Sequence, residues 1–229
     1  MKLLDVLRSY TTRDSSDLER GIRLYEGRKF ADALHVWKKA ANKGDAEACY
    51  RIGLLYARGE GALRSVVDAA SWYEKAAKLG YAAAQIQLGL IYLNGSGAVP
   101  PWLDSWLKSV STANPSKAEA TLNALFPQGT TIEKNEELAR HWIGAAAQSG
   151  DPRALAVMGD LHRHGRGGPA DYAQAHECYS RAAEGNIAAA QFGLGDLYFQ
   201  GLGRPVDHTA AANWYEKAAE NDDARAQFA

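Results

Sequence analysis

The chain repeats itself with a period of 36 residues. An Ala-Ala doublet marks the register, and its successive copies are 36, 70, 36 and 36 residues apart. The copies are Ala40-Ala41, Ala76-Ala77, Ala146-Ala147, Ala182-Ala183 and Ala218-Ala219. A fixed period of this length is typical of helical repeat arrays, in which each unit buries its apolar face against the next. We therefore expect an all-α chain that presents a surface to another molecule.

Each repeat begins with an amphipathic helix, here called helix A. In one copy Ala48, Ile52, Gly53 and Tyr56 follow the three- and four-residue spacing of a helix with one buried face. A Gly-x-Gly pair follows and is expected to end the helix, because glycine readily adopts the left-handed conformation of a helix C-cap. A glycine inside a helix costs up to about 1 kcal/mol relative to alanine. Its recurrence therefore predicts close helix–helix contact at Gly53, Gly89, Gly159 and Gly195.

A second helix, here called helix B, completes the repeat. Its fullest copy contains Ala69, Trp72, Tyr73 and Ala77 at helical spacing. The alternation of small and aromatic residues suits packed helices, because a ring on one helix fills the space beside a small residue on the other. Further copies begin at Ala139, Ala175 and Ala211.

Together these patterns resemble the Sel1-like repeat, a branch of the tetratricopeptide-type (TPR-like) solenoids. The unit reads Ala-x-x-x-Leu-Gly-x-x-Tyr-x-x-Gly-x-Gly, then Ala-x-x-Trp-Tyr-x-Lys-Ala-Ala-x-x-Gly, over roughly residues 40–98 and 135–229. The resemblance implies a single right-handed α-solenoid over 1–229, a superhelix of antiparallel helix pairs with helix A lining the concave face. It also implies an adaptor in bacterial signalling or complex assembly, and it brings no shared catalytic residues.

Charge and cysteine content favour a cytoplasmic protein that does not bind nucleic acid. The net charge is −1, and no run of residues approaches the ~20 apolar residues of a membrane span. Some secreted relatives carry a cysteine in each helix of a repeat and bridge the two. Here the expected partner of Cys49 is Ala77, and Cys178 takes a tryptophan position, so no such bridge is expected.

The 70-residue step reveals an insertion of about 34 residues, at 98–131, in one A–B loop. Trp102 and Trp106 lie at helical spacing after a Pro-Pro pair, and Asn114-Pro115 is a suitable start for a second helix. We predict a helical hairpin. Its tryptophans either contact a partner, since insertions in repeat proteins often map to the binding face, or pack on neighbouring repeats.

The helix-A positions that are not needed for packing form the predicted partner-binding face. Such a groove suits an amphipathic helix or an extended peptide, and tyrosine and arginine are enriched at binding hot spots. The alternative is that Tyr50, Phe192 and Phe199 belong partly to the core. With the tryptophans of the insertion, the predicted set is Tyr50, Leu54, Arg58, Ile86, Leu90, Asn94, Trp102, Trp106, Arg153, Arg163, Phe192 and Phe199.

One local cluster, His162-Arg163-His164, attracts a chemical interpretation. Histidines two residues apart on a helix point in different directions and make a poor metal pair, and His162 takes the place of a repeat tyrosine. Arg163 and Arg166 either engage an acidic or phosphorylated partner or form a solvated face. We predict no metal site, no cofactor and no catalytic residue, because no known motif for them occurs.

Residues 223–229 begin another helix A and do not complete it. Because an array usually ends in a polar cap, we expect either a longer array or self-association through this end.

The leading hypothesis is a non-catalytic scaffold that binds a protein or peptide through helix A and the 98–131 insertion. The alternative is a regulatory or substrate-docking module of a larger enzyme whose catalytic part lies beyond Ala229. A third hypothesis is an enzyme with the hairpin as a lid. A buried cluster of ionisable side chains beneath Trp102 and Trp106 would support it, and an apolar seam there would argue against it.

Overall fold

The structure is a computed structural model. It describes residues 17–95, 105, 115–126 and 129–221. Within these residues the regular secondary structure is helical and includes no β-strand, so the predicted all-α class is confirmed. The chain divides into two compact units, Met1–Lys134 and Asn135–Ala229.

The first unit is a stack of helices joined by short turns. Its described helices are α1 (17–26), α2 (Phe30–Ala41), α3 (Ala46–Arg58), α4 (Val66–Lys78), α5 (Ala82–Asn94) and α6 (Pro115–Leu125). From α2 to α5, each helix packs against the next one in sequence. Helices α3 and α5 are copies of helix A, and α4 is a copy of helix B. Trp37, Ile52 and Leu55 are fully buried in the core of this unit.

Helix α6 lies inside the predicted insertion and begins at Pro115. Phe126 follows its last residue and is only 4% exposed, which anchors the end of the segment. The part of the predicted hairpin that carries Trp102 and Trp106 lies outside the described residues.

The second unit continues the same order. Its described helices are α7 (Glu136–Gln148), α8 (Pro152–His164), α9 (Tyr172–Glu184), α10 (Ala188–Gln200) and α11 (His208–Glu220). Each helix packs against the next, and α8 also contacts α10. Since α8 and α10 are both copies of helix A, the A helices of successive repeats lie side by side in this unit.

Four copies of helix B, α4, α7, α9 and α11, begin at a capping side chain in the same position of the repeat. This side chain accepts a hydrogen bond from the backbone N–H three residues later, at 2.9–3.1 Å. Such caps each contribute about 1 kcal/mol to stability. The capping residues are Ser65, Asn135, Asp171 and Asp207.

The predicted ends of helix A are confirmed in three repeats. Gly59, Gly165 and Gly201 occupy the C-cap with φ of 73°, 62° and 67°, and each backbone N–H bonds to a carbonyl of the last helical turn. A side chain at these positions would strain the backbone, which explains why the Gly-x-Gly pair recurs.

The predicted close contact at the mid-helix glycine is also confirmed. A Cβ atom on Gly53 or Gly159 would lie 2.5 Å from the ring of Tyr73 or Tyr179 on the following helix B. Both tyrosines are fully buried, whereas the residues Trp72 and Cys178 before them differ in size. The tyrosine, rather than the tryptophan, therefore fills the space that the glycine leaves.

Candidate functional site

We call the side of the A helices that carries the predicted partner-binding positions the A face. In the first unit, part of this face is aromatic. The Tyr50 ring lies 5.7 Å from the ring of Tyr73 and 5.1 Å from that of Tyr81. Burial raises the pKa of the Tyr73 and Tyr81 hydroxyls above the usual range for tyrosine, so both stay protonated at neutral pH. Tyr50 is half-buried and presents part of its ring to solvent.

Aliphatic side chains continue this face along α3 and α5. Leu54 and Leu90 are half-buried, and Asn94 is exposed. Ile86 is only 7% exposed and belongs to the core. A partner would therefore meet the leucines and Asn94 rather than Ile86.

Arg58 is exposed but held by neighbours. Its Nη1 donates to the Tyr25 hydroxyl at 2.8 Å, and that hydroxyl donates to Glu60 Oε2 at 3.0 Å. The guanidinium thus has a defined orientation at the end of α3.

The A face of the second unit carries an ordered polar network. Arg163 Nη1 on α8 lies 2.6 Å from Asp196 Oδ2 on α10. The Tyr215 hydroxyl of α11 donates to Asp196 Oδ1 at 2.7 Å, and the Tyr179 hydroxyl of α9 donates to Asp160 Oδ1 at 2.6 Å. Side chains from four consecutive helices therefore meet on one surface.

Burial and charge fix the protons in this network. Burial raises the pKa of Tyr179, and the Asp160 carboxylate raises it further. Burial likewise raises the pKa of Tyr215, followed by the hydrogen bond to Asp196. Both hydroxyls therefore remain protonated donors at physiological pH, and the side-chain oxygens of Asp160 and Asp196 accept their hydrogen bonds.

The two carboxylates differ in what remains available to a partner. Asp196 uses one oxygen for Arg163 and the other for Tyr215, and the Arg163 and Asp196 side chains are only 14% and 15% exposed. Asp160 is exposed, and one of its oxygens accepts from Tyr179. Arg163, predicted as a partner-binding residue, is thus held by an internal ion pair.

The remaining predicted residues of this unit are spread over its surface. Phe192 is half-buried, with its ring 5.3 Å from that of Tyr215, whereas Phe199 is 53% exposed. Arg153 is paired with Asp151, the N-cap of its own helix, at 2.8 Å. The hydrogen bond from Arg153 is the largest cause that lowers the Asp151 pKa.

His162 lies in the core, as the sequence predicts. It is 9% exposed, and its Nδ1 lies 2.9 Å from Arg140 Nη2. Because a guanidinium can only donate, Nδ1 is the acceptor and the ring is neutral. Burial, followed by the Arg140 charge, lowers the His162 pKa. Arg166 is paired with Glu136 at 3.1 Å, so the two arginines of the local cluster point to different partners.

A family model for the Sel1 repeat matches residues 46–81, 82–104, 128–151, 152–187 and 188–223. These matches cover well over half of the chain. The chain belongs to the Sel1 repeat family. The internal stretch between the matches, 105–127, lies within the predicted insertion.

Two bacterial proteins show similarity to this chain. A solved Sel1 repeat protein from Oxalobacter formigenes is 30% identical with a TM-score of 0.70, covering 92% of this chain and 72% of that one. An uncharacterized protein of Neisseria meningitidis serogroup B is 26% identical over 153 residues, which are 67% of this chain. The chain spans 32% of the length of that relative. The similarity supports the α-solenoid type of helix packing.

Sel1 repeat proteins are generally protein-interaction scaffolds and typically lack catalytic activity. In the part of the chain that the structure describes, no group of three histidine, cysteine or acidic side chains is arranged to hold a metal ion. None of the helices there has both the length and the apolar character required to cross a bilayer.

Sequence reasoning missed the partners of Arg163, Tyr179 and Tyr215. The sequence did contain a signal. Asp160 and Asp196 each directly follow the mid-helix glycine of a helix A, and the two aspartates are 36 residues apart. The first unit has leucines at that position. The pairing across helices emerges only from the packing of the Sel1 repeats.

Proposed function

We propose that this Sel1 repeat chain is a non-catalytic scaffold that binds a segment of another protein on its A face. The observation that carries the proposal is that each unit leaves aromatic or aliphatic side chains partly open on its A helices. In the first unit Tyr50, Leu54 and Leu90 are half-buried. In the second unit Phe192 is half-buried and Phe199 is 53% exposed.

The composition of this surface suits a peptide or helix with both apolar and polar side chains. The first unit offers tyrosine and leucine, and the second offers phenylalanine beside a fixed polar network. Apolar anchors with oriented polar groups give affinity and register respectively. We extend the proposal to the 98–131 insertion through Trp102 and Trp106, and to a role in bacterial signalling or complex assembly.

We propose a cytoplasmic location for this function. Cys49 and Cys178 are both buried free thiols, as is usual in a reducing compartment. Burial raises the pKa of both thiols, which keeps them protonated and unreactive.

A second candidate is a docking or regulatory module within a larger enzyme. It is favoured by the Neisseria meningitidis relative, of which this chain spans 32%, because the matching region is only part of that longer protein. In that case the same A face recruits the substrate or regulator.

Site-specific photo-crosslinking in the native host tests the scaffold proposal. A benzophenone amino acid is placed at Leu54 or Phe199 on the A face, at Trp106 in the insertion, and at the exposed helix-B residues Lys75 and Glu177 as matched controls. We expect a discrete cross-linked partner from the A-face positions and none from the controls. Equal or stronger cross-linking from Lys75 and Glu177 would reject the A face as the binding surface.

A further inference from the structure

The polar network of the second unit contains two aspartates. Asp196 forms an ion pair with Arg163, whereas Asp160 is exposed and is held by the Tyr179 hydroxyl. We propose that this carboxylate binds a lysine or arginine side chain of the partner segment, next to an apolar residue of that segment. The inference rests on the proposed function of the A face and names the chemistry of its partner.

Asp160 is held in place before any partner arrives. The Tyr179 hydroxyl donates to Asp160 Oδ1 at 2.6 Å, and the Tyr179 ring is fully buried. That ring is wedged between two A helices, because a Cβ on Gly159 of α8 or Gly193 of α10 would lie 2.5 Å or 2.6 Å from it. A carboxylate that is already oriented loses little conformational freedom on binding.

Asp160 forms no ion pair with Arg163, its closest cationic neighbour in sequence. Arg163, one turn further along α8, is directed to Asp196 at 2.6 Å, and that pair is nearly closed to solvent. No ion pair joins Asp160 to any side chain that the structure describes. The ion pair of Arg163 is thus made with Asp196, while Asp160 is exposed and accepts a hydrogen bond from Tyr179.

The surroundings favour a basic residue with an apolar neighbour. The contact of Tyr179 with Gly193 brings the first half of α10 alongside Asp160, and Phe192 precedes that glycine. Phe199, two turns further along α10, is 53% exposed. In the first unit, Leu54 and Leu90 occupy the repeat positions that Asp160 and Asp196 occupy in the second. Recognition of a positive charge is therefore a property of the second unit.

Selection of short random peptides displayed on phage tests the inference on the full chain. Three proteins are compared: wild type, Asp160→Asn, and Glu177→Gln as a control on the exposed side of α9. Asparagine still accepts the Tyr179 hydrogen bond, so only the charge is removed. Helical circular dichroism and unfolding confirm that each variant is folded.

We expect lysine or arginine to be enriched in peptides selected on wild type and on Glu177→Gln, and not on Asp160→Asn. A synthetic selected peptide should bind Asp160→Asn about tenfold more weakly than wild type, because a hydrogen bond to a charged group is lost. Its affinity for wild type should fall as salt is raised.

Two results would overturn the inference, and they are distinguishable from failure of the proposed function. Selected peptides without basic enrichment, or with unchanged affinity for Asp160→Asn, remove Asp160 as the recognition group. If those peptides still cross-link to Leu54 or Phe199, the scaffold proposal stands. If they cross-link only to Lys75 or Glu177, the A face itself is rejected.

Discussion

The two units share one packing device and differ in the residue beside it. In both, a buried helix-B tyrosine lies against a helix-A glycine, Tyr73 on Gly53 and Tyr179 on Gly159. In the first unit the residue after that glycine is Leu54, and the face is apolar. In the second it is Asp160, which accepts the tyrosine hydroxyl. The packing of tyrosine on glycine is therefore the same whether the next residue of helix A is a leucine or an aspartate.

The largest expected effect comes from breaking the polar network of the second unit. Asp196→Ala leaves Arg163 poorly solvated and unpaired, and we expect a loss of about 2 to 3 kcal/mol in the free energy of unfolding. Arg163→Met/Asp196→Leu makes the second unit resemble the first, and should recover most of that loss, since apolar side chains can replace a buried ion pair at little cost. Urea unfolding measures both. A double variant as unstable as Asp196→Ala would show that the network is not exchangeable for apolar packing.

The shared packing device gives the next effect. A Cβ on Gly53 or Gly159 would overlap a buried tyrosine ring, so Gly53→Ala and Gly159→Ala should each destabilise the protein by about 1 to 3 kcal/mol. Gly144→Ala is the control, because a Cβ there meets nothing within 4 Å. It should be neutral or stabilising by up to about 1 kcal/mol.

These glycine variants test whether the two units are built alike. Similar losses at Gly53 and Gly159, measured by denaturant unfolding, are the expected outcome. A loss at one position only would mean that the tyrosine can move aside in one of the units, and the packing would then not be common to both.

The smallest effect is a dependence on pH near pH 6.5, which we expect in the second unit. Every histidine except His35 belongs to that unit. Burial lowers the pKa of His162 and His176, and the charges of Arg140 and Arg204 respectively lower it further. The unfolded chain takes up these protons at about pH 6.5, and the folded chain only at lower pH.

Stability should therefore be complete above about pH 6.5 and should fall as the pH drops toward the folded pKa values, by at most about 1.4 kcal/mol per pH unit for each histidine. Hydrogen exchange on acidification should quicken in the second unit before the first. His162→Tyr, which restores the tyrosine of other repeats, should reduce the slope. Unchanged or greater stability in mild acid would contradict the assignment.

The local features of the repeat were predictable, and the contacts between repeats were not. The ends of helix A at Gly59 and Gly165, and the close approach at Gly53 and Gly159, follow from the conformational properties of glycine at a fixed register. The caps of helix B are equally regular in the sequence. They lie four residues before the motif alanines Ala69, Ala139, Ala175 and Ala211.

The pairing of Arg163 with Asp196 could not be read from the chain in the same way. The two residues are 33 positions apart, and several other acidic side chains were equally plausible partners. Their contact depends on α8 and α10 lying side by side. Likewise, Ile86 occupies a predicted surface position but is buried, because the depth of a half-buried helix face is set by its neighbours.

The Tyr179 side chain couples the packing of the interior to the chemistry of the binding surface. Its ring is part of the interior of the second unit, whereas its hydroxyl reaches the A face and orients Asp160. An amino-acid change that tunes recognition at Asp160 would therefore also alter a group rooted in the protein interior. Surface residues of the leucine-lined repeats can change with less effect on the interior, because no buried tyrosine hydroxyl depends on them.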